Sequence, residues 1–207
     1  MTGKRSLVLL SGGVDSSTVL AREVKEGFEV VPLHIDYGQR GALKERVSCE
    51  AQASGHGLAL EVLDASALGA GFRQRARKDR DVPFPHRNFV ILAIAVSYAH
   101  ERSCTRICLS INRDDTEDHP AATEAFIESF RATAATLDKR FEIVTPLIAL
   151  RKHEVVLLGA SLGVDFSKTH SCLVGGERHC GICAQCAARK KALSRAGIAE
   201  PEGFYER

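Results

Sequence analysis

The chain has 207 residues, a net charge of +2, 44% apolar and 26% charged residues, the composition of a globular protein with a sizeable core rather than of a disordered or fibrous chain. So small a net charge gives no general drive toward nucleic acid, and direct nucleic-acid binding is not expected. No apolar run approaches the roughly 20 residues of a membrane span, and Met1-Thr-Gly-Lys-Arg-Ser6 leads straight into the first apolar run, so a cytoplasmic location without a signal peptide is expected.

In chain order, residues 7–10 read as a buried strand, followed by a helix near 16–26, a strand at 29–35, a helix near 42–54 and a strand at 58–63. Residues 69–85 have the weakest pattern. They contain the basic run Arg73-Gln-Arg-Ala-Arg-Lys-Asp-Arg80, which reads as a solvated loop or as a lid or contact for an acidic group. An apolar helix at 88–100, a strand at 106–110, a helix around 122–137 and a short strand at 142–144 complete the alternation. This order predicts an α/β fold, a parallel sheet with helices on both faces. Ligands of such sheets sit beyond the carboxyl ends of the strands, so the loops at 11–15, 36–40 and 111–120 are expected on one rim. From about Leu147 the pattern changes to helices around a cysteine loop, which divides the chain into a nucleotide-binding unit (1–146) and a helical extension (147–207).

The stretch Leu10-Ser-Gly-Gly-Val-Asp-Ser-Ser17 describes a cradle for pyrophosphate. Adjacent Gly12 and Gly13 permit a sharp turn and close approach to a ligand. The N–H groups at the turn and helix start converge where the helix dipole favours an anion, and the hydroxyls of Ser11, Ser16 and Ser17 add donors. A ligand-free turn with a helix cap is the competing reading. The pattern resembles the SGGxDS motif of the PP-loop ATP pyrophosphatases, which cleave ATP between the α and β phosphates.

Seven cysteines, an odd number, argue against a disulfide scaffold. Four of them, Cys172, Cys180, Cys183 and Cys186, fall within fifteen residues, and two overlapping Cys-x₂-Cys turns bring sulfurs together around one ion. Tetrahedral thiolate coordination suits a structural Zn2+; iron–sulfur ligation is the alternative. His170 and His179 flank the cluster as substitute ligands. The closed site would pin its loop, with Gly175-Gly176, against the sheet.

Several segments together resemble the 7-cyano-7-deazaguanine synthases, the QueC family, over nearly the whole chain. They are the Ser11–Ser17 loop, His34-Ile-Asp-Tyr-Gly-Gln-Arg40, Pro85-His-Arg-Asn88, Thr145-Pro-Leu147 with Lys152 and Glu154, and Ser171-Cys172 with Cys180-Gly-x-Cys183-x-x-Cys186-x-x-Arg189. The resemblance implies an ATP-dependent ligase that adenylates a 7-carboxy-7-deazaguanine, converts it with ammonia to an amide and, after a second adenylation, dehydrates it to the nitrile. It places ATP on Leu10, Ser11, Gly12, Gly13, Val14, Asp15, Ser16 and Ser17, with His34, Asp36 and Gln39 beside the nucleotide or substrate. Lys152 is the expected cation at the α-phosphate, and Asp15 either positions Mg2+ or anchors the turn. Tyr37, Arg87, Asn88 and Asp115 are the expected substrate contacts, Arg87 for the carboxylate and Asn88 for the base edge. Helix capping is the other role open to Arg87 and Asn88. A homodimer is implied, with ammonia arriving free or from a partner.

Two stretches depart from the family pattern. Asp115-Thr-Glu-Asp-His-Pro-Ala-Ala122 stands where the family has a segment like D-Y-S-G-Y-P-D-C, keeping Asp115 and Pro120 but losing both tyrosines, the second aspartate and the cysteine. His86 replaces the glycine of P-G-R-N. These departures support a second reading, a QueC-like paralogue that stops at the amide or couples the activated deazaguanine to another amine, on a protein, of the kind found beside bacterial defence genes. A third is a degenerate nucleotide-binding module with a structural metal. RNA thiolation is disfavoured, because Cys104 and Cys108 lie in apolar settings.

Overall fold

The computed structural model describes residues 4–73 and 83–206; beyond Arg73, the basic run at 73–80 lies outside them. Five parallel strands, β1 (Arg5–Leu9), β2 (Glu29–Asp36), β3 (Glu61–Asp64), β4 (Arg106–Cys108) and β5 (Glu142–Val144), form one sheet in the order β3-β2-β1-β4-β5. The expected α/β class is what the chain adopts. Order reverses between β1 and β4, so the crevice beyond their carboxyl ends is the switch point where ligands bind in such sheets.

Alternation along the strands builds two cores. Leu7, Leu33, Ile107 and Ile143 face one side, against α4 (Arg87–Glu101) and α6 (Glu124–Leu137). Val8, Val30 and Cys108 face the other, against α1 (Val14–Lys25), α2 (Ala42–Gly55) and α7 (Lys152–Ser161). A further layer joins Val14 and Ala21 of α1 to Val156 of α7 and to Ala192 and Leu193 of α8 (Ala184–Arg195). Gly159 permits this approach, since a Cβ there would lie 2.5 Å from Thr18 Oγ1. Below the sheet, the fully buried Glu23 accepts hydrogen bonds from Ser6 Oγ at 2.8 Å and Arg106 Nε at 2.9 Å.

Two helices were not expected. α3 (Ser66–Arg73) occupies the start of the stretch with the weakest pattern, and α5 (Arg113–Asp118) lies in the rim loop after β4. The latter has no apolar periodicity; it is held by a capping box in which Asn112 Oδ1 accepts from the N–H of Asp115 and Asp115 Oδ2 accepts from the N–H of Asn112. β3 begins at Glu61, later than the apolar residues suggest, because Leu58 and Leu60 pack beside the second core before strand pairing starts. No helix among the described residues is long and apolar enough to cross a membrane.

Candidate active site and metal centre

β1 delivers the chain to Leu10, whose N–H bonds Leu33 O at 2.8 Å. Its carbonyl is contacted by His34 Nδ1 and the Cys49 thiol, each at 3.2 Å. Gly12 then takes φ +73, and a Cβ on it would stand 2.6 Å from Glu45 O and 2.7 Å from Ser48 Cβ. The loop is thus seated directly on α2, which only glycine allows. Gly13 caps α1, Val14 opens it, and Ser16 Oγ ties the turn by accepting from Ser11 N–H at 3.1 Å and donating to Gly13 O at 3.2 Å. Ser17 Oγ and Asp15 Oδ1 are buried and, among the described residues, have no hydrogen-bond partner. Such groups are costly unless something satisfies them. At the head of α1 they are placed to receive an anion and the cation that accompanies it.

The other oxygen of Asp15 pairs with Lys152 Nζ, the two side chains being 17% and 18% exposed. Lys152 opens α7, and that end of the helix is strapped to α5. Lys152 N–H donates to Asp114 Oδ2 at 3.0 Å, and Arg151 bridges Asp114 at 2.6 Å and Glu117 at 3.0 Å. Asp114, Glu117 and Arg151 were not foreseen. Neighbouring Asp115 is held above the usual carboxylate range, mainly by burial and also by the charge of Asp15, against the opposing Asn112 N–H bond. The loops after β1 and β4 and the start of α7 therefore meet at one point.

After β2, Asp36 Oδ1 accepts from Gly38 N–H at 2.8 Å, while Gln39 Oε1 accepts from Tyr37 N–H at 2.9 Å. Gln39 Nε2 donates to Glu45 Oε2 at 2.7 Å, so both predicted nucleotide contacts spend their side chains shaping this turn. Burial pushes the Glu45 carboxyl up and the His34 imidazole down; His34 Nε2 is buried with no partner among the described residues. Tyr37 meets Phe84 edge-on at 5.7 Å and accepts a hydrogen bond from Arg87 Nη1 at 3.3 Å. The Arg87 residue is solvent-exposed over much of its length, yet its guanidinium is partly desolvated, donates to the neutral Tyr37 hydroxyl and faces the carboxylates of Glu45 and Asp115, as expected of a group lining a cleft. Neither Arg87 nor Asn88 caps α4. That position belongs to His86, in the left-handed region (φ 52, ψ 39), while Asn88 Nδ2 reaches Ala121 O at 2.9 Å.

The ligand atoms of Cys172, Cys180, Cys183 and Cys186 all lie within 4.8 Å of one another. Cys180 and Cys186 stand 3.9 Å apart, near the roughly 3.8 Å edge of a tetrahedron with metal–sulfur bonds of about 2.3 Å. N–H groups of Cys180, Cys183 and Cys186 point at the sulfurs of Cys172, Cys180 and Cys183 at 3.3–3.5 Å. Backbone N–H groups of Ile182 and Cys183 bring the Cys180 thiol down to about 6. Preorganised donors and close sulfurs fit one metal ion. The flanking histidines are not ligands: His170 Nε2 contacts Cys172 O and His179 Nε2 accepts from Ser171 N–H, each at 3.0 Å.

The family model described as queuosine biosynthesis protein QueC matches residues 5–197. The chain belongs to the QueC family. Similar proteins include 7-cyano-7-deazaguanine synthases from Thermoplasma acidophilum (34% identical, 97% of this chain and 92% of that protein) and an Anaeromyxobacter species (36%, 99% and 97%). The synthase of Halobacterium salinarum is 33% identical over 100% and 98%. Among solved structures, an NH3-dependent NAD synthetase from Campylobacter jejuni matches with TM-score 0.54 at 15% identity, over 79% of this chain and 66% of that one. A U34-tRNA thiolase from Methanococcus maripaludis, with its [4Fe-4S] cluster, matches with TM-score 0.55 at 17% identity, over 94% and 66%. These two share the fold alone. His86, which stands at the glycine of the P-G-R-N pattern that this segment resembles, is a left-handed residue, the conformation that glycine adopts without cost.

Proposed function

We propose that the protein is an ATP-dependent ligase that converts 7-carboxy-7-deazaguanine to 7-cyano-7-deazaguanine. The observation that carries this reading is the Asp15–Lys152 pair at the mouth of the glycine loop, facing the rim that holds Asp115, Tyr37 and Arg87. Pyrophosphate departs into the N–H groups of the 11–17 loop and the Ser17 hydroxyl, donors already in place before charge develops. Lys152, released from Asp15, meets the charge growing on the α-phosphate. Mg2+ bound with ATP supplies further charge neutralisation, and Asp15 is the residue to hold it. Arg87 orients the substrate carboxylate, whose oxygen bonds to the α-phosphorus as the bond to pyrophosphate breaks. Ammonia displaces AMP to give the amide. A second adenylation, on the amide oxygen, lets AMP depart with loss of two N–H protons as the nitrile forms.

The four thiolates take a structural Zn2+, because sulfurs this close converge on one ion and leave no open position. A cytoplasmic homodimer and the division at residue 146 belong to the same reading. The altered rim supports a second reading: the segment 115–122, which departs from the QueC pattern, stands beside Asp15 and Asn88, residues that the proposed mechanism assigns to ATP and to the base. In that reading the activated base ends as an amide or on the amine of a protein.

Incubation with ATP, Mg2+, ammonium and 7-carboxy-7-deazaguanine, followed for pyrophosphate and product mass, tests both. Nitrile supports the first reading; amide alone, or mass added to a protein, supports the second. No pyrophosphate with any deazaguanine refutes both. Elemental analysis is expected to give one zinc per chain and no visible absorption; iron with a visible band would overturn the zinc assignment.

A further inference from the structure

The cysteine knuckle touches both loops of the nucleotide side, and at each meeting point backbone lies against backbone. His170 N–H donates to Gly12 O at 2.8 Å, and a Cβ on Gly13 would lie 3.4 Å from His170 O. Two residues on, Cys172 O would lie 3.4 Å from a Cβ on Gly41, the residue that ends the 36–41 loop. Gly175, at φ +76, is tighter still: a Cβ there would be 2.5 Å from Arg40 O and 3.3 Å from Gly41 Cα. Three consecutive residues, 170–172, thus run from the phosphate loop past the second loop to a metal-binding sulfur.

The other side of this strap is bolted by Arg189, whose side chain is fully buried. It donates to Thr169 Oγ1 at 2.6 Å and Phe166 O at 2.7 Å, pairs with Glu200 at 2.8 Å and covers the Phe204 ring at 4.6 Å. Phe204 in turn stacks on His179 at 4.3 Å. Bolt and metal hold opposite ends of the strap, with the bonds of Ser171 to His179 at 3.0 Å and to Arg189 at 3.3 Å between them, so freeing the sulfurs releases the Cys172 end, which carries the Gly41 contact.

We propose that the metal-closed knuckle is a positioning device for the ATP site, with His170 and Gly175 as its positioning residues: it sets the phosphate loop against the 36–41 loop and so controls nucleotide affinity rather than the chemical step. The proposal rests on the ATP-dependent reading above. A phosphate loop binds its anion tightly only when its N–H groups are aimed at it beforehand, and the strap touches both loops at backbone distance.

Gly175→Ala tests it with all four thiols intact, and Gly176→Ala is the control, since a Cβ there meets nothing closer than Glu206 Oε1 at 3.4 Å. Metal content, calorimetric binding of α,β-methylene-ATP, and KM for ATP against kcat are measured. Gly175→Ala is expected to keep its metal, to weaken analogue binding and raise the KM for ATP at least tenfold, and to hold kcat at saturating ATP within threefold of wild type. Gly176→Ala is expected to match wild type. Chelator-treated wild type, still unfolding cooperatively, is expected to show the same loss of analogue binding and to regain it when metal returns; this arm decides the matter if Gly175→Ala fails to fold or load. Binding within twofold of wild type in both arms, or a fall in kcat with affinity unchanged, would overturn the proposal. Wild-type protein that binds no analogue would instead refute the ATP reading, a distinguishable result.

Discussion

Lys152 has two possible jobs, neutralising Asp15 or stabilising charge on the α-phosphate, and one set of variants separates them. The pair is partly buried, at 18% and 17% exposure. Its loss in Lys152→Ala falls between the 0–1 kcal/mol of an exposed pair and the 3–5 kcal/mol of a broken buried one, so about 2 kcal/mol. At roughly 2–4 °C per kcal/mol for a chain of this size, Tm falls by about 4–8 °C. The catalytic cost is larger: removing one preorganised donor from a developing charge costs about 10²–10³ in rate. Asp15→Asn sets the baseline. If Lys152 acts on the phosphate, adding Lys152→Ala to Asp15→Asn lowers ATP–pyrophosphate exchange by a further factor of about 100. If it merely neutralises Asp15, the second substitution changes nothing. An exchange rate within threefold of the Asp15→Asn enzyme refutes the assignment, as does near-normal turnover of Lys152→Ala alone.

Other substitutions test the scaffold around the site. His86→Gly relieves a left-handed residue and is expected to stabilise the protein by about 0.5–1 kcal/mol after the entropic cost of glycine; an unchanged or lower Tm would count against the conformation. Gly159→Ala puts a methyl 2.5 Å from Thr18 Oγ1 and 2.9 Å from Phe166 Cζ, and a loss of about 1–3 kcal/mol is expected in urea denaturation, with no loss refuting the tight α1–α7 approach. Glu23→Gln leaves the Arg106 guanidinium, 14% exposed and still paired with Glu142, facing a neutral amide at the fully buried position 23. The denaturation midpoint should then fall by the equivalent of about 3 kcal/mol with the slope unchanged; a loss below about 1 kcal/mol would mean that water reaches this pair.

The parallel sheet was legible because β1 and β2 carry apolar runs buried on both faces, Leu7 beside Val8 and Val30 beside Val31, separated by helical stretches of sufficient length. α5 was not, since Arg-Asp-Asp-Thr-Glu-Asp has no apolar face and its one readable signal is Asn112 three residues before Asp115. α3 carries two glycines in eight residues, which masks a helix whose Gly69 must pass against the backbone at Tyr37. The site divided in the same way. The glycine loop and the four cysteines announce themselves because their chemistry is local in sequence. Glu45, Asp114 and Arg151 do not, because each acts through a partner that only the fold brings near: Arg151 finds Asp114 across 37 residues and Lys152 finds Asp15 across 137.

The altered rim bears on the choice between an enzyme and a relic. Loss of the family tyrosines between Asp115 and Ala122 would be expected to loosen that segment, yet it is strutted from three sides. Asn112 caps α5, Arg151 spans Asp114 and Glu117, and Asn88 holds Ala121. These ties form a charged framework that ends beside Lys152, whose N–H donates to Asp114 Oδ2 at 3.0 Å. At the same time the Ser17 hydroxyl and Asp15 Oδ1 stay buried and, among the described residues, unpaired, each at a cost of about 1–3 kcal/mol. A domain released from catalysis would relieve the Ser17 cost with one substitution to alanine. Keeping it, inside a rim held by its own capping box and ion pairs, argues for a working adenylation site rather than a relic.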